Sequence, residues 1–187
     1  MKDIRYWHTM VKVLRNLPHE TGAEIGVHRG LFASKILAEL PEIKTYYCID
    51  SWEFYEDYKK TLRKGSFEAT TSKDKIKQAF LNKIAPWKNK CVILHCTSME
   101  ALSSVPDEGL DWVFIDANHA YKYAKQDITG WSKKVKVGGL IAGHDFTNKH
   151  QHKREIPFGV DRAVKELIPQ FEVIGNVWYT IKTKDLL

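Results

Sequence analysis

The stretch FEVIGNVWYTIK, residues 171–182, holds two strand-like apolar runs separated by Gly175-Asn176. A two-residue Gly-Asn break between such runs is a hairpin signal. A hairpin sets the last strand antiparallel to its neighbour, whereas a parallel crossover needs a dozen or more residues. Upstream, GAEIGV (22–27), TYYCID (45–50), CVILHC (91–96), LDWVFID (110–116) and GGLIAGHDF (138–146) read as strands. Helical stripes lie between them. Residues 3–17 are amphipathic, and LFASKILAEL places apolar residues at 32, 33, 36, 37 and 40. MEALSSV forms a short helix before the turn PDEG (106–109). Ala124, Ile128, Trp131 and Val135 follow helical spacing, as do Val160, Ala163, Val164, Leu167 and Ile168. Strands alternating with helices predict βαβ units and a parallel sheet. The expectation is an α/β fold whose sheet is mostly parallel, with one antiparallel strand at the end.

The 187 residues suit one domain, taken as residues 1–187, with an N-terminal helix within 1–20. A 43% hydrophobic content is enough to bury a core and excludes a disordered class. No run approaches 18 apolar residues, so no membrane span is expected. The first residues, MKDIRYWHTMVKVLRNL, are broken by charges and do not form a secretory signal. Cys48, Cys91 and Cys96 have no metal-type spacing and lie in apolar runs. Buried free thiols in a reducing, cytoplasmic setting are the expectation.

Charge is uneven. Residues 59–90 carry ten Lys or Arg against Glu68 and Asp74. Two readings stand open: a solvated helical face, or a rim that draws an anionic substrate, nucleic acid or a membrane surface. Residues 51–90 as a whole read as a basic, aromatic, helical insert capping a site. Trp52, Phe54, Tyr55 and Tyr58 could wall a pocket or pack a core.

In open α/β sheets, ligands bind beyond the carboxyl ends of the strands. Five strand ends here are polar. The first gives Glu24, Gly26 and Gly30 in E-I-G-V-H-R-G; the second ends on Asp50; the third on Cys96-Thr97-Ser98; the fourth on Asp116; the fifth on His144-Asp145. Any one of these could be turn or cap chemistry. An acid at position 50 can take both hydroxyls of a ribose, and Thr97 and Ser98 suit a base edge. No G-x-G-x-x-G is present, which argues against a dinucleotide. E-x-G-x-x-x-G suits a ligand with adenosine and no phosphates.

With VFIDANHAY, QDITGW, KVGGLIAGHDF and FGVDRAVKEL, the chain resembles the class I S-adenosylmethionine-dependent methyltransferases over about residues 20–182. More narrowly, it is similar to the small O-methyltransferases grouped around macrocin O-methyltransferase, with catechol O-methyltransferase more distant. The resemblance implies a Rossmann-like three-layer sandwich with a seven-stranded sheet, its last strand antiparallel. It implies that Glu24, Gly26, Val27 and Gly30 line the methionine end of the cofactor. Asp50 would take the ribose hydroxyls with Ser51 beside it, Thr97 and Ser98 would flank the adenine, and Asp116 would face both cofactor and acceptor. Metal-dependent relatives carry ligands where this chain has Asp116, His144 and Asp145, which implies a divalent cation such as Mg²⁺ or Mn²⁺. Catechol-type enzymes have Asp-Asn where this chain has His-Asp. His119 falls where they place a basic lysine, as a candidate general base; its alternative is capping the next helix. His150 and His152, near Glu155, read as a solvated loop.

The function expected is O-methylation of a small hydroxylated acceptor. Its rivals are a nucleic-acid or other macromolecule methyltransferase using the basic 59–90 segment, an NAD-dependent oxidoreductase, and a non-catalytic cofactor-binding protein. No D/N-P-P-Y/F run of the amino-methylating enzymes is present. A chain this short can borrow pocket wall from a second copy, so a homodimer is among the expected states.

Overall fold

The computed structural model describes residues 6–53, 71–146 and 158–186. Seven strands form one sheet: β1 (Thr21–Ile25), β2 (Thr45–Ile49), β3 (Cys91–Leu94), β4 (Leu110–Ile115), β5 (Val135–Gly143), β6 (Glu172–Ile174) and β7 (Val177–Ile181). Their order is β3-β2-β1-β4-β5-β7-β6. β1 to β5 pair in parallel, and β7 runs antiparallel to both β5 and β6. The Gly175-Asn176 hairpin thus inserts its second strand between β5 and β6, with Gly175 in the left-handed region at φ 64°.

The sheet has helices on both faces, and the strands show why. In β4, Trp112 and Phe114 point to one face and Val113 and Ile115 to the other, all buried. Helices α1 (Tyr6–Leu14), α2 (Leu31–Glu39) and α3 (Lys73–Ile84) cover the first face through Met10, Leu14, Phe32, Ile36 and Phe80. Helices α4 (Ser98–Ala101), α5 (Tyr121–Lys134) and α6 (Val160–Leu167) cover the second through Ala101, Ile128, Trp131, Ala163 and Val164. A strand buried on both faces reads as a continuous apolar run, and each large buried side chain is worth roughly 1.5–3 kcal/mol relative to exposure.

Three boundaries differ from the sequence reading. Val135 opens β5 rather than closing α5, because the helix stops at Lys134. Gly138-Gly139 therefore lie inside β5, where its pairing with β4 shifts register between Leu110 and Trp112. A Cβ on Gly139 would sit 2.6 Å from the Asp111 carbonyl oxygen, so the strands meet there only with glycine. Finally, β3 ends at Leu94, and Cys91 and Cys96 are half-buried; only Cys48 is fully buried, although all three are free thiols. No described helix is long and apolar enough to cross a membrane.

Candidate active site

Strand order reverses between β1 and β4, the place where such sheets bind ligands. Gly26 leaves β1 here with φ 95°, and a Cβ on it would lie 2.3 Å from the Asp116 carbonyl oxygen. Only glycine lets the two strand ends come this close. The Asp116 N–H donates to the Ile25 carbonyl at 2.8 Å and ties them together. A cavity of about 500 Å³ opens above this junction. Of the residues assigned to the cofactor from sequence, Glu24, Gly26, Val27, Asp50, Ser51, Thr97, Ser98 and Asp116 all line it.

Gly30 does not. It stands at the N-cap of α2 with φ 70°, and a Cβ on it would meet the Phe80 ring at 2.8 Å. Its glycine serves the turn and the packing of α3 against α2.

Asp50 follows β2 and accepts the His28 N–H at 2.8 Å and the Trp52 N–H at 2.7 Å, one on each oxygen. Burial raises its pKa, and these two backbone bonds pull the other way. Each oxygen keeps a lone pair for a ligand hydroxyl. Trp52 and His28 both hold positive φ, and the Trp52 indole N–H donates to the His28 carbonyl at 2.9 Å. The loops after β1 and β2 are thus fixed to each other. Ser51 is held from behind: Lys77 donates to His95 Nδ1 at 2.9 Å, so Nε2 carries the proton and donates to the Ser51 carbonyl at 3.0 Å.

At the third strand end the hydroxyls are already engaged. Thr97 caps α4 in a reciprocal pair with Glu100. Ser98 donates to Asp127 at 2.5 Å and accepts from the Trp131 indole at 2.8 Å. Both residues line the cavity, but their side chains build the wall rather than wait for a base edge. Asp127, only 4% exposed on α5, was missed from sequence; its signal is a carboxylate on the apolar face marked by Ala124, Ile128 and Trp131.

The fourth and fifth strand ends converge. Ligand-type atoms of Asp116, His144 and Asp145 all lie within 4.8 Å of one another. His119 Nε2 sits 3.3 Å from Asp116 and 3.0 Å from Asp145. His144 Nδ1 sits 3.3 Å from Asp145. Burial opposes a charge on His144, yet the bond to Asp145 and the fields of Asp116 and Asp145 hold its pKa above the usual histidine value. His119 does not cap α5, whose N-cap Ala120 has no side-chain cap; its ring instead packs on Phe158 at 4.4 Å. The Tyr6 ring from α1 lies 4.7 Å from the His144 ring and also lines the cavity. Burial, then the charges of Asp116, Glu24 and Asp145, push its phenol well up, so it stays protonated. Sequence spacing alone could not place Tyr6 here, because α1 reaches the site by packing on α2.

Residues 23–146 match the family model described as a methyltransferase domain, about two-thirds of the chain. The chain belongs to this methyltransferase family. No curated protein matches it in sequence. Among solved structures, a protein from Staphylococcus aureus assigned as a caffeoyl-CoA O-methyltransferase is 17% identical, with a TM-score of 0.66 over 97% of this chain and 85% of that one. The O-methyltransferase TomG of Streptomyces achromogenes, involved in tomaymycin synthesis and solved with S-adenosylmethionine, is 13% identical, with a TM-score of 0.66 over 95% and 79%. The N-methyltransferase NodS of Bradyrhizobium japonicum is 14% identical, with a TM-score of 0.61 over 96% of both chains. These similarities concern the fold, which serves methyl transfer to oxygen and to nitrogen alike. The family makes the protein an S-adenosylmethionine-dependent methyltransferase and sets aside the nicotinamide and non-catalytic readings.

Part of the basic segment of this methyltransferase is engaged internally. Lys73 pairs with Glu53, Lys77 with His95, and Lys90 with the Pro41 carbonyl, while Lys83 lines the cavity. Residues 54–70, with Phe54, Tyr55 and Tyr58, lie outside the described residues, as do His150, His152 and Glu155.

Proposed function

We propose that the protein methylates a hydroxyl of a small acceptor, aided by a divalent cation held by Asp116, His144 and Asp145. The observation that carries this reading is the meeting of those three side chains and His119 at the carboxyl ends of β4 and β5, beside the cavity. Two carboxylate oxygens and an imidazole nitrogen fit a divalent cation, and the imidazole tilts the choice toward Mn²⁺, Fe²⁺ or Zn²⁺ over Mg²⁺. A cation bound there would lower the pKa of the acceptor hydroxyl and orient it. Bound adenosylmethionine would supply the electrophilic methyl on its sulfonium.

The rest falls to the chain's own side chains. Asp50 holds the ribose hydroxyls, and Glu24 with the Gly26 backbone holds the amino-acid end. Tyr6 and Phe32 line the cavity as an aromatic wall that favours a sulfonium and excludes water. His119 takes the acceptor proton, and Asp116 and Asp145 stabilise the imidazolium that results. Nucleic acid is the weaker acceptor, since several lysines of the basic segment are spent on internal partners.

An acceptor screen with and without EDTA, scored by adenosylhomocysteine release, tests the proposal. Hydroxylated acceptors should turn over and EDTA should suppress them. Full turnover in EDTA removes the metal, and turnover of amines alone removes O-methylation. His119→Ala should lower kcat by about a hundredfold and leave adenosylhomocysteine affinity nearly unchanged in titration calorimetry. A loss of thermal stability with normal kcat would instead make His119 structural.

A further inference from the structure

Glu24 is 2% exposed and lines the cavity, yet a partner outside the cavity wall holds it. The hydroxyl of Tyr46, itself fully buried, donates to Glu24 Oε2 at 2.8 Å. The parallel register of β1 and β2 pairs Gly22 with Tyr46 and Glu24 with Cys48. Tyr46 is therefore attached two residues behind Glu24 on the same face of the sheet. Two strand residues rise roughly 6.6 Å, a length the long axis of a tyrosine spans. Its ring is fixed in that direction by Trp112, edge-on at 5.4 Å and 69°. The Trp112 indole occupies the space where a Cβ on Gly22 would stand, 1.9 Å away. Gly22, Trp112 and Tyr46 thus form a packed stack whose polar tip meets Glu24.

That tip opposes everything else acting on Glu24. Burial pushes the Glu24 carboxyl well up, and Asp116 and Asp50 add to it; the Tyr46 bond is the contribution that favours the carboxylate. A buried carboxylate beside two other acids gains most from a cationic partner.

We infer that Tyr46 is a positioning residue for the cosubstrate: by holding Oε2 it leaves the other Glu24 oxygen to the cavity, where it pairs with the amino group on the ligand's amino-acid end. The inference rests on the adenosylmethionine reading and adds to it a residue that touches no ligand.

Titration calorimetry with two ligands tests it. Adenosylhomocysteine carries the amino-acid end; methylthioadenosine keeps the adenosine and thioether but lacks that end. Tyr46→Phe should weaken adenosylhomocysteine about tenfold and leave methylthioadenosine unchanged. Glu24→Gln should show the same split with a larger loss. The double variant should lose no more than Glu24→Gln alone, because the hydroxyl acts only through the carboxylate. Equal losses for both ligands, no loss for either, or additive losses overturn the assignment. Glu24→Gln keeps an acceptor for the Tyr46 hydroxyl, so should Tyr46→Phe fail to fold, equal losses for the two ligands in Glu24→Gln still overturn the assignment. Failure of the unaltered protein to bind either ligand removes the adenosylmethionine reading together with this assignment, whereas binding of both without a split in the variants removes this assignment alone.

Discussion

Asp116→Ala is expected to lower kcat by roughly a thousandfold or more, with the fold intact. Asp116 stands where three demands meet. Its backbone closes the β1–β4 junction through the N–H bond to Ile25 and the close approach of Gly26. Its side chain faces His119 at 3.3 Å and His144 at 3.9 Å, and it lines the cavity. Alanine keeps the backbone part and deletes the rest. The proposed cation loses an oxygen ligand, and the proposed base loses a neighbour that stabilises its charged form. The side chain is 23% exposed, so its removal leaves no buried void of consequence. Thermal melting should therefore move little, while adenosylhomocysteine release falls. Asp116→Asn, which keeps the shape and discards the charge, should fall nearly as far. Retention of more than about a tenth of the activity in either variant would show that this carboxylate carries neither role, given what removing one such group costs elsewhere.

The site was legible in sequence where chemistry sits at strand ends. Asp50, Asp116 and the pair His144-Asp145 each directly follow a strand, and a parallel sheet brings all such ends to one edge. The hairpin was legible because Gly175-Asn176 permits a turn few other pairs allow. Residues that reach the site by tertiary packing were not legible. Tyr6 comes from α1, whose own sequence says which face is apolar but not what that face meets. Gly30 shows what motif spacing leaves out: it also starts α2 with φ 70° and lets Phe80 approach closely. Thr97 carried a competing signal, the T-x-x-E spacing of a capping box, and that local bond engages its hydroxyl. The Gly138-Gly139 pair reads as a strand start, yet β5 begins at Val135 and passes through the pair where its register against β4 shifts, with Gly138 at φ 83°.

Asp127→Asn should stabilise the protein at alkaline pH and change little in acid. Asp127 is 4% exposed, and burial pushes its pKa from 3.8 to about 7, against the pull of the Ser98 hydroxyl. The sign is opposite to that of a salt-bridged aspartate. Between pH 4 and 7 the folded state keeps a proton that the unfolded chain has released, so stability falls as pH rises through this window. Above it the cost is constant, at most on the order of 4 kcal/mol for a rise of that size. Asparagine resembles the protonated acid: its amide oxygen can take the Ser98 hydroxyl, and its NH₂ replaces the acid O–H. It carries no charge to desolvate. Denaturant unfolding at pH 4 and pH 8 should therefore give stabilities within about 1 kcal/mol of each other for the two proteins at the lower pH. At the higher pH the asparagine variant should lead by several kcal/mol, equivalent to a melting shift of roughly 10 °C for a chain this size. Parallel pH–stability curves would mean that Asp127 stays ionised in the fold, with a partner strong enough to outweigh its burial. The Ser98 wall gives the result a functional side. Ser98 is held between Asp127 and the Trp131 indole and lines the cavity. The acid thus costs stability in the pH range where it helps fix that wall, the kind of trade expected where a binding site is built at the edge of a core.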